Sequence, residues 1–208
     1  MVRVAVLDMN NNVPNLGLAN IVEIVKDFKD EIEWQVFEVR FKNEIPDLSW
    51  DVYISSGGPG DPLEGDGIWD VQYYNLIDKL WAHNLSGSSM KKYAFFICHS
   101  FQMITNHFRV AEIHPRRSMS FGTFPVHKTE DGEADAYLNS LPDPFHVADF
   151  RHWQVLKPNV EAINEIGAKI LVLEKIRPHV QLERAIMAIR FSREFFGTQF
   201  HPEADPIG

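Results

Sequence analysis

The chain has 208 residues, of which 45% are hydrophobic and 24% charged, and its formal net charge is −9 at pH 7. These values are typical of one globular domain with a substantial core, and the negative charge disfavours a nucleic-acid partner. The single cysteine excludes an internal disulfide and suits a reducing cytoplasm. No apolar run is long enough to cross a bilayer. We therefore expect one cytoplasmic domain over residues 1–208, without a membrane or nucleic-acid partner.

Strand-like and helix-like segments alternate in the first half of the chain. The predicted strands are Val4–Leu7, Trp34–Val39, Asp51–Ile54 and the segment from Tyr93 to Cys98. The predicted helices run from Leu18 to about Lys29, from Ile68 to about His83 and onward from Ser100, with Asn15 as a start signal for the first. This alternation predicts an α/β fold with a mostly parallel central sheet and helices on both of its faces.

Short strand-like runs dominate the second half. They are predicted at Phe121–His127, Phe145–Phe150, Lys169–Leu173, Ala185–Phe191 and Phe195–Phe200. Turn signals such as Asp131-Gly132 separate them, and short helices are expected at Asp135–Asn139 and Asn159–Ile166. We expect antiparallel strands or hairpins that are added to the parallel sheet rather than a second domain.

Cys98 lies where the hydrophobic period changes from that of a strand to that of a helix. A nucleophile on such a sharp turn projects outward, beside N–H groups at the positive end of the helix. Both features favour a thiolate over a thiol. From this segment alone, a buried structural cysteine is the alternative.

Two further segments carry residues of catalytic type. The loop Gly57–Gly60 lacks the residues of a phosphate-binding loop, so it is either a tight turn or a backbone that presents the Gly58 N–H to an oxyanion. His201 and Glu203 supply a base and a partner that fixes its tautomer, although His-Pro-Glu is also a common loop tripeptide. The histidines show no zinc-like spacing, so no metal is expected.

Three motifs occur in a characteristic order: Ser-Gly-Gly-Pro-Gly at 56–60, Ile-Cys-x-Ser-x-Gln at 97–102 and Gly-Thr-Gln-Phe-His-Pro-Glu at 197–203. Together they resemble the class I (triad) glutamine amidotransferase family over nearly the whole chain. The segment 121–126 also looks like the family's middle segment. The resemblance implies a flavodoxin-like fold and hydrolysis of the side-chain amide of glutamine with release of ammonia, without a cofactor.

The same resemblance implies roles for individual residues. Cys98 would be the nucleophile, His201 the general base and acid, and Glu203 the residue that orients His201. The N–H groups of Gly58 and His99 would form the oxyanion hole. Contacts to the substrate are implied for Gly57, Gln102 and His152. For His152, a half-exposed ring stacked on Trp153 is the alternative.

The chain departs from the family pattern at three places. Phe96 and Ser100 stand where the family usually has glycine, two residues before and after the cysteine. Serine is a tolerable small substitute, whereas phenylalanine is expected to alter the elbow geometry or the pocket beside it. Arg151 precedes His152 where many members carry a Ser-His pair; a substrate carboxylate or, more simply, a surface ion pair is its expected partner.

The sequence therefore predicts a cysteine-dependent amidohydrolase that acts on glutamine through a γ-glutamyl thioester. The chain contains no synthetase domain, so the ammonia would pass to a separate synthetase subunit or be released. A stand-alone γ-glutamyl-amine or γ-glutamyl-peptide hydrolase is the alternative enzyme. A catalytically silent binding or regulatory module on the same fold is the alternative of another class. Phe96 favours the module, and intact Cys98, His201 and Glu203 favour the enzyme.

Overall fold

The computed structural model describes residues 1–179 and 181–205. The chain divides into two compact units, one formed by residues 1–100 together with the segment from Glu203 onward, the other by residues 101–202. Among the described residues, no helix is both long and apolar enough to span a membrane. The single domain expected from the sequence stays a prediction.

The first unit is a parallel sheet. Its strands are β1 (Val2–Asp8), β2 (Ile32–Glu38), β3 (Val52–Ser55) and β4 (Tyr93–Ile97), in the order β2-β1-β3-β4. Every one of these neighbouring pairs is parallel. The helices are α1 (Leu16–Asp27), α2 (Val39–Lys42), α3 (Trp69–Leu85) and the start of α4 (His99–His107).

Helices cover both faces of this sheet. On one face Ile21 and Val25 of α1 pack into an apolar cluster with Val4, Val6 and Ile97. On the other face the Tyr73 hydroxyl of α3 is hydrogen-bonded to the Ser55 hydroxyl of β3 at 3.0 Å. The predicted start of α1 is also confirmed, because the Asn15 side chain accepts a hydrogen bond from the Leu18 N–H at 3.2 Å.

The second unit consists of antiparallel strands. They are β5 (Ala111–Lys128), β6 (Phe145–Pro158), β7 (Lys169–Glu174), β8 (Ile186–Arg190) and β9 (Phe195–Thr198), in the order β9-β8-β7-β5-β6. The unit also holds the rest of α4 and the short helices α5 (Glu130–Ala134) and α6 (Val160–Ile166). The predicted combination of a parallel α/β part with antiparallel strands in the C-terminal half is thus confirmed.

Two strands of this unit are longer than predicted. β5 begins at Ala111 rather than Phe121, and β6 ends at Pro158 rather than Phe150. Pro115 and the charged residues after it interrupt the apolar alternation that signals a strand. The strand still forms because β5 pairs with β6 along its length. A register shift between Pro115 and Ser120 accommodates the irregular segment.

The helix predicted at Asp135–Asn139 was wrong; the helix of this region is α5, which precedes it. The Thr129 hydroxyl caps α5 by accepting from the Gly132 N–H at 3.1 Å. A Cβ on Gly132 would lie 2.0 Å from the Leu171 carbonyl oxygen. Asp131-Gly132 is therefore a close-packing site inside a helix and not a turn between strands.

The pair Asp135–Arg190 is expected to stabilise the second unit. The Arg190 guanidinium donates to both carboxylate oxygens, at 2.8 Å to Oδ1. Burial would raise the pKa of Asp135, but the hydrogen bonds and charge of Arg190 outweigh it and hold the pKa below 3.8. Asp135→Asn should lower the free energy of unfolding by about 2 kcal/mol at pH 7. Because the lowered pKa contributes stability only while the carboxylate is charged, the difference should shrink as the pH falls below 3.8 and through the folded-state pKa.

Urea unfolding at pH 7 and pH 3 measures both effects. Asp131→Asn is the matched control, because Asp131 pairs with Lys169 at 2.8 Å on an exposed surface. Asp131→Asn should change the free energy of unfolding by no more than about 0.5 kcal/mol. An equal decrease in the free energy of unfolding of the two variants at pH 7 would contradict the prediction.

Candidate active site

Cys98 forms a strained turn between β4 and α4. Its φ is +49°, in the left-handed region that costs a residue with a side chain about 1–2 kcal/mol. This is the strand-to-helix elbow that the sequence predicts. The elbow forms although Phe96 precedes it. The Phe96 ring is only 1% exposed and belongs to the core.

Ser100 fastens the first turn of α4 to the end of β3. Its hydroxyl donates to the Ser56 carbonyl oxygen at 2.6 Å and is hydrogen-bonded to the Ser55 hydroxyl at 2.8 Å. A glycine at this position would make neither bond. Serine is therefore more than a tolerated substitute: it ties the cysteine elbow to the strand that leads into the Gly57–Gly60 loop.

The same loop approaches the end of β1 at the backbone level. A Cβ on Gly58 would lie 2.4 Å from the Met9 carbonyl oxygen, so only glycine fits here without displacement. The Met9 N–H donates to the Ser56 hydroxyl at 3.0 Å, which joins the two strand ends. Gly58 thus holds its place through close packing, as an oxyanion-hole amide would require.

Sequence reasoning missed Arg40, which braces this loop from α2. Its Nη1 donates to the Pro59 carbonyl oxygen at 2.7 Å and to the Met9 carbonyl oxygen at 3.2 Å. The guanidinium also lies 4.9 Å from the centre of the Trp69 ring. No motif marks Arg40, because it acts on main-chain oxygens of segments distant in sequence.

His99 is almost completely buried, with 2% of its surface exposed. Burial, and to a smaller extent the positive charge of Arg40, lowers the pKa of His99 from 6.5 to about 3. The ring is therefore neutral at physiological pH. It follows that the His99 ring is a poor proton acceptor.

Glu203 belongs to the first unit and is 6% exposed. A Cβ on Gly17 would lie 2.8 Å from its Oε1 atom, so the carboxylate sits against the first turn of α1. The N-terminus of a helix stabilises negative charge. Gly17 is a second residue that the sequence did not indicate, and its missing side chain leaves room for this carboxylate.

The remaining candidates lie in the second unit. The His201 N–H donates to the Ala148 carbonyl oxygen at 2.9 Å, and its half-buried ring lies 5.7 Å from the Phe150 ring. The Gln102 side chain is buried and donates to Gln199 Oε1 at 3.0 Å. That bond connects α4 to the segment that leads from β9 to His201.

His152 and Arg151 point to opposite faces of β6. His152 is exposed, whereas the Arg151 side chain is fully buried and paired with Asp149 and Glu174, each at 3.0 Å. The expected surface ion pair of Arg151 was therefore wrong, because the pair is buried.

The structure thus brings together some of the predicted residues within each unit. In the first unit the Ser100–Ser56 bond joins the elbow of Cys98 and His99 to the loop of Gly57 and Gly58. In the second unit the Gln102–Gln199 bond reaches the segment before His201. Across the described part of the chain, no group of three or more His, Cys, Asp or Glu residues is arranged to hold a metal ion.

A cysteine on a strained strand-to-helix turn of a parallel sheet resembles the nucleophile elbow described for hydrolases. The family model of class-I glutamine amidotransferases matches residues 17–207. The chain therefore belongs to the class-I glutamine amidotransferase family, as its motifs predict. Comparison with curated protein sequences gave no match.

Solved structures share the fold at low sequence identity. A glutamine amidotransferase from Thermotoga maritima aligns with a TM-score of 0.70 and 16% identity, covering 98% of this chain and 76% of that one. The glutaminase domain of Trypanosoma brucei CTPS with bound acivicin aligns with a TM-score of 0.69 and 14% identity, covering 100% of this chain and 89% of that one. PurLQS from Thermotoga maritima aligns with a TM-score of 0.64 and 13% identity, covering 97% of this chain and 88% of that one.

Gly58→Ala should displace the loop. The added methyl group would lie 2.4 Å from the Met9 carbonyl oxygen, which is main chain and cannot rotate away. We expect the free energy of unfolding to fall by about 1–3 kcal/mol, the usual cost of overpacking. Urea unfolding with a fluorescence readout measures this loss.

Gly67→Ala separates this contact from ordinary glycine effects. Gly67 has φ +78° with no atom within 4 Å of an added Cβ, so its variant carries backbone strain alone. A crystal structure of each variant should show the loop moved only in Gly58→Ala. An undisturbed Gly58–Met9 geometry in that variant would refute the close-packing account.

His99 should make stability depend on pH. The unfolded chain takes up a proton on this histidine below about pH 6.5, whereas the folded chain resists protonation down to about pH 3. The free energy of unfolding should therefore fall with decreasing pH in this window, by up to about 1.4 kcal/mol per unit. Urea unfolding of the natural protein and His99→Gln at pH 7, 6 and 5 isolates this contribution. Parallel pH profiles of the two proteins would contradict it.

Proposed function

We propose that this protein hydrolyses the side-chain amide of glutamine to glutamate and ammonia, with Cys98 as the nucleophile. The observation that carries the proposal is the elbow of Cys98 at φ +49°, tied through Ser100 to the glycine loop. Membership of the class-I glutamine amidotransferase family supplies the substrate.

In the proposed reaction, the Cys98 thiolate attacks the amide carbon and the carbonyl oxygen becomes an oxyanion. The N–H groups of Gly58 and His99 stabilise this charge, and such donors are worth several kcal/mol when preorganised. The close contact of Gly58 with Met9 and the bracing by Arg40 support a preorganised loop.

His201 is the proposed general base and acid. It takes the proton of Cys98, returns it to the departing ammonia and then activates the water that hydrolyses the γ-glutamyl thioester. The lowered pKa of His99, caused first by burial, supports this assignment because it makes His99 the weaker proton acceptor. Glu203 is proposed to orient His201 and to stabilise the imidazolium.

Gly57, Gln102 and His152 are proposed to contact the substrate glutamine. The ammonia is proposed to pass to a separate synthetase subunit in the cytoplasm. The similarity of the fold to a CTPS glutaminase domain and to PurLQS supports a biosynthetic partner of this type.

Incubation of the purified protein with glutamine, with ammonia and glutamate measured, tests the proposal. Cys98→Ala should abolish release, and His201→Gln should reduce it by about 10²–10⁴-fold because proton transfer is lost. His146→Gln is the matched control, since His146 is an exposed histidine on β6 that has no proposed catalytic role. It should retain full activity.

Two further readouts separate the alternatives. Rapid alkylation of Cys98 at neutral pH, without glutamine turnover but with hydrolysis of γ-glutamyl-p-nitroanilide, would indicate the γ-glutamyl hydrolase instead. An inert Cys98 and no turnover of either compound would refute the enzyme and leave the binding module.

A further inference from the structure

A buried cluster of charges lies where β5, β6 and β7 meet. One carboxylate oxygen, Oε1 of Glu174, receives three guanidinium groups: Arg177 at 2.7 Å, Arg151 at 3.0 Å and Arg116 at 3.4 Å. The Glu174 side chain is only 8% exposed. Three guanidinium groups thus share one oxygen of this carboxylate, although the Arg177 side chain is still 31% exposed.

The second carboxylate of the cluster is Asp149. Both of its oxygens lie within 3.1 Å of Arg151 Nε, and Oδ2 also accepts from the Ser120 hydroxyl at 2.7 Å. Lys175 adds a fourth positive charge, 4.3 Å from the centre of the Phe124 ring. Four cations against two carboxylates leave an excess of two positive charges.

In each of two guanidinium groups, one buried nitrogen has no hydrogen-bond acceptor among the described residues. The Arg151 side chain is fully buried, and its Nη1 atom has no hydrogen-bond partner among the described residues. Arg184 donates through Nε to the Glu174 carbonyl oxygen at 2.6 Å, while its buried Nη2 has no partner in the described part of the chain. A buried N–H group without an acceptor costs about 1–3 kcal/mol. Burial and then the charge of Arg151 lower the pKa of Arg116, as expected for crowded like charges.

A cleft of about 210 Å³ opens beside this cluster. Its polar lining consists of three cations, Arg116, Lys175 and Arg177, together with Ser120 and the two carboxylates Asp149 and Glu174. Met119, Phe124 and Met187 are among its apolar lining residues. The volume equals that of about seven liquid waters, enough for one substituted ring. An apolar wall with a few convergent charged groups is typical of a small-molecule site.

Part of the cleft lies on the face of β6 that points away from His201. Asp149 lines the cleft, whereas the ring of its neighbour Phe150 lies 5.7 Å from the His201 ring. Successive side chains of a strand point to opposite faces. Phe121, which also lines the cleft, packs against Phe150. Ligand binding in this cleft would not depend on the proposed function.

We propose that this cleft binds a small organic anion, with a carboxylate or phosphate group held by Arg116, Lys175 and Arg177 and an apolar body packed on Phe124. Guanidinium groups bind both headgroups through paired hydrogen bonds. The apolar part of the ligand, about the size of one ring, displaces water from the apolar lining around Phe124.

Isothermal titration calorimetry of the full chain tests the site with four probes: phenyl phosphate, benzoate, inorganic phosphate and neutral benzyl alcohol. Phenyl phosphate or benzoate should bind at one site, and the tighter of the two identifies the headgroup. Inorganic phosphate should bind at least tenfold more weakly than phenyl phosphate, and benzyl alcohol should not bind. Equal binding of inorganic phosphate and phenyl phosphate would overturn the apolar part of the site.

Arg177→Gln and Lys175→Gln should each weaken binding of the better probe at least tenfold. These residues are preferred to Arg151, whose loss would leave two buried carboxylates without their partner and strongly destabilise the fold. Arg193→Gln is the matched control, because Arg193 is exposed and does not line the cleft. Absence of saturable binding by either organic anion, or equal binding by all three variants, would show that the cluster is only a structural ion-pair network and overturn the proposal.

Discussion

The first unit depends on the contact between backbones at the carboxyl ends of its parallel strands. Gly58 lies against the Met9 carbonyl oxygen so closely that a single methyl group does not fit. Ser100 reaches across to the Ser56 carbonyl oxygen, and Cys98 adopts a left-handed backbone between them. A strained residue of this kind persists only where its surroundings hold it in place. Here the surroundings are the hydrogen bonds and packing of neighbouring strand ends.

Hydrogen bonds from polar side chains hold these strand ends and the Gly57–Gly60 loop in place. The Asn10 side chain donates to Asp8 Oδ1 at 2.9 Å, and the Met9 N–H donates to the Ser56 hydroxyl. Arg40 adds two bonds to main-chain oxygens of the same region. Such a network favours one loop conformation, because breaking these bonds would leave further buried polar atoms without partners. This explains why the loop is held by side chains that have no part in the chemistry.

The sequence predicted most of the first unit because most of its elements have a local signal, whereas the four-residue helix α2 was missed and Val39 was predicted to be strand. Alternating strand and helix periods gave the parallel sheet, and Asn15 marked the start of α1. Arg40 and Gly17 could not be predicted, since their partners are main-chain atoms or a carboxylate distant in sequence. In the second unit, the first part of β5 was missed because Pro115 and its charged neighbours carry no strand signal. Asp131-Gly132 was misinterpreted because a glycine required by close packing looks like a turn.

Charge is distributed differently around the two features that we interpret as sites. Near Cys98 burial lowers the pKa of His99, so the oxyanion of the proposed reaction would depend on main-chain N–H groups, which need no counter-ion when the site is empty. In the charge cluster of β5, β6 and β7, the three guanidinium groups of Arg116, Arg151 and Arg177 lie beside two carboxylates, Glu174 and Asp149. A bound anion would offset the remaining positive charge. The first arrangement suits a charge that appears only during a reaction, and the second suits an anion that is already charged when it arrives.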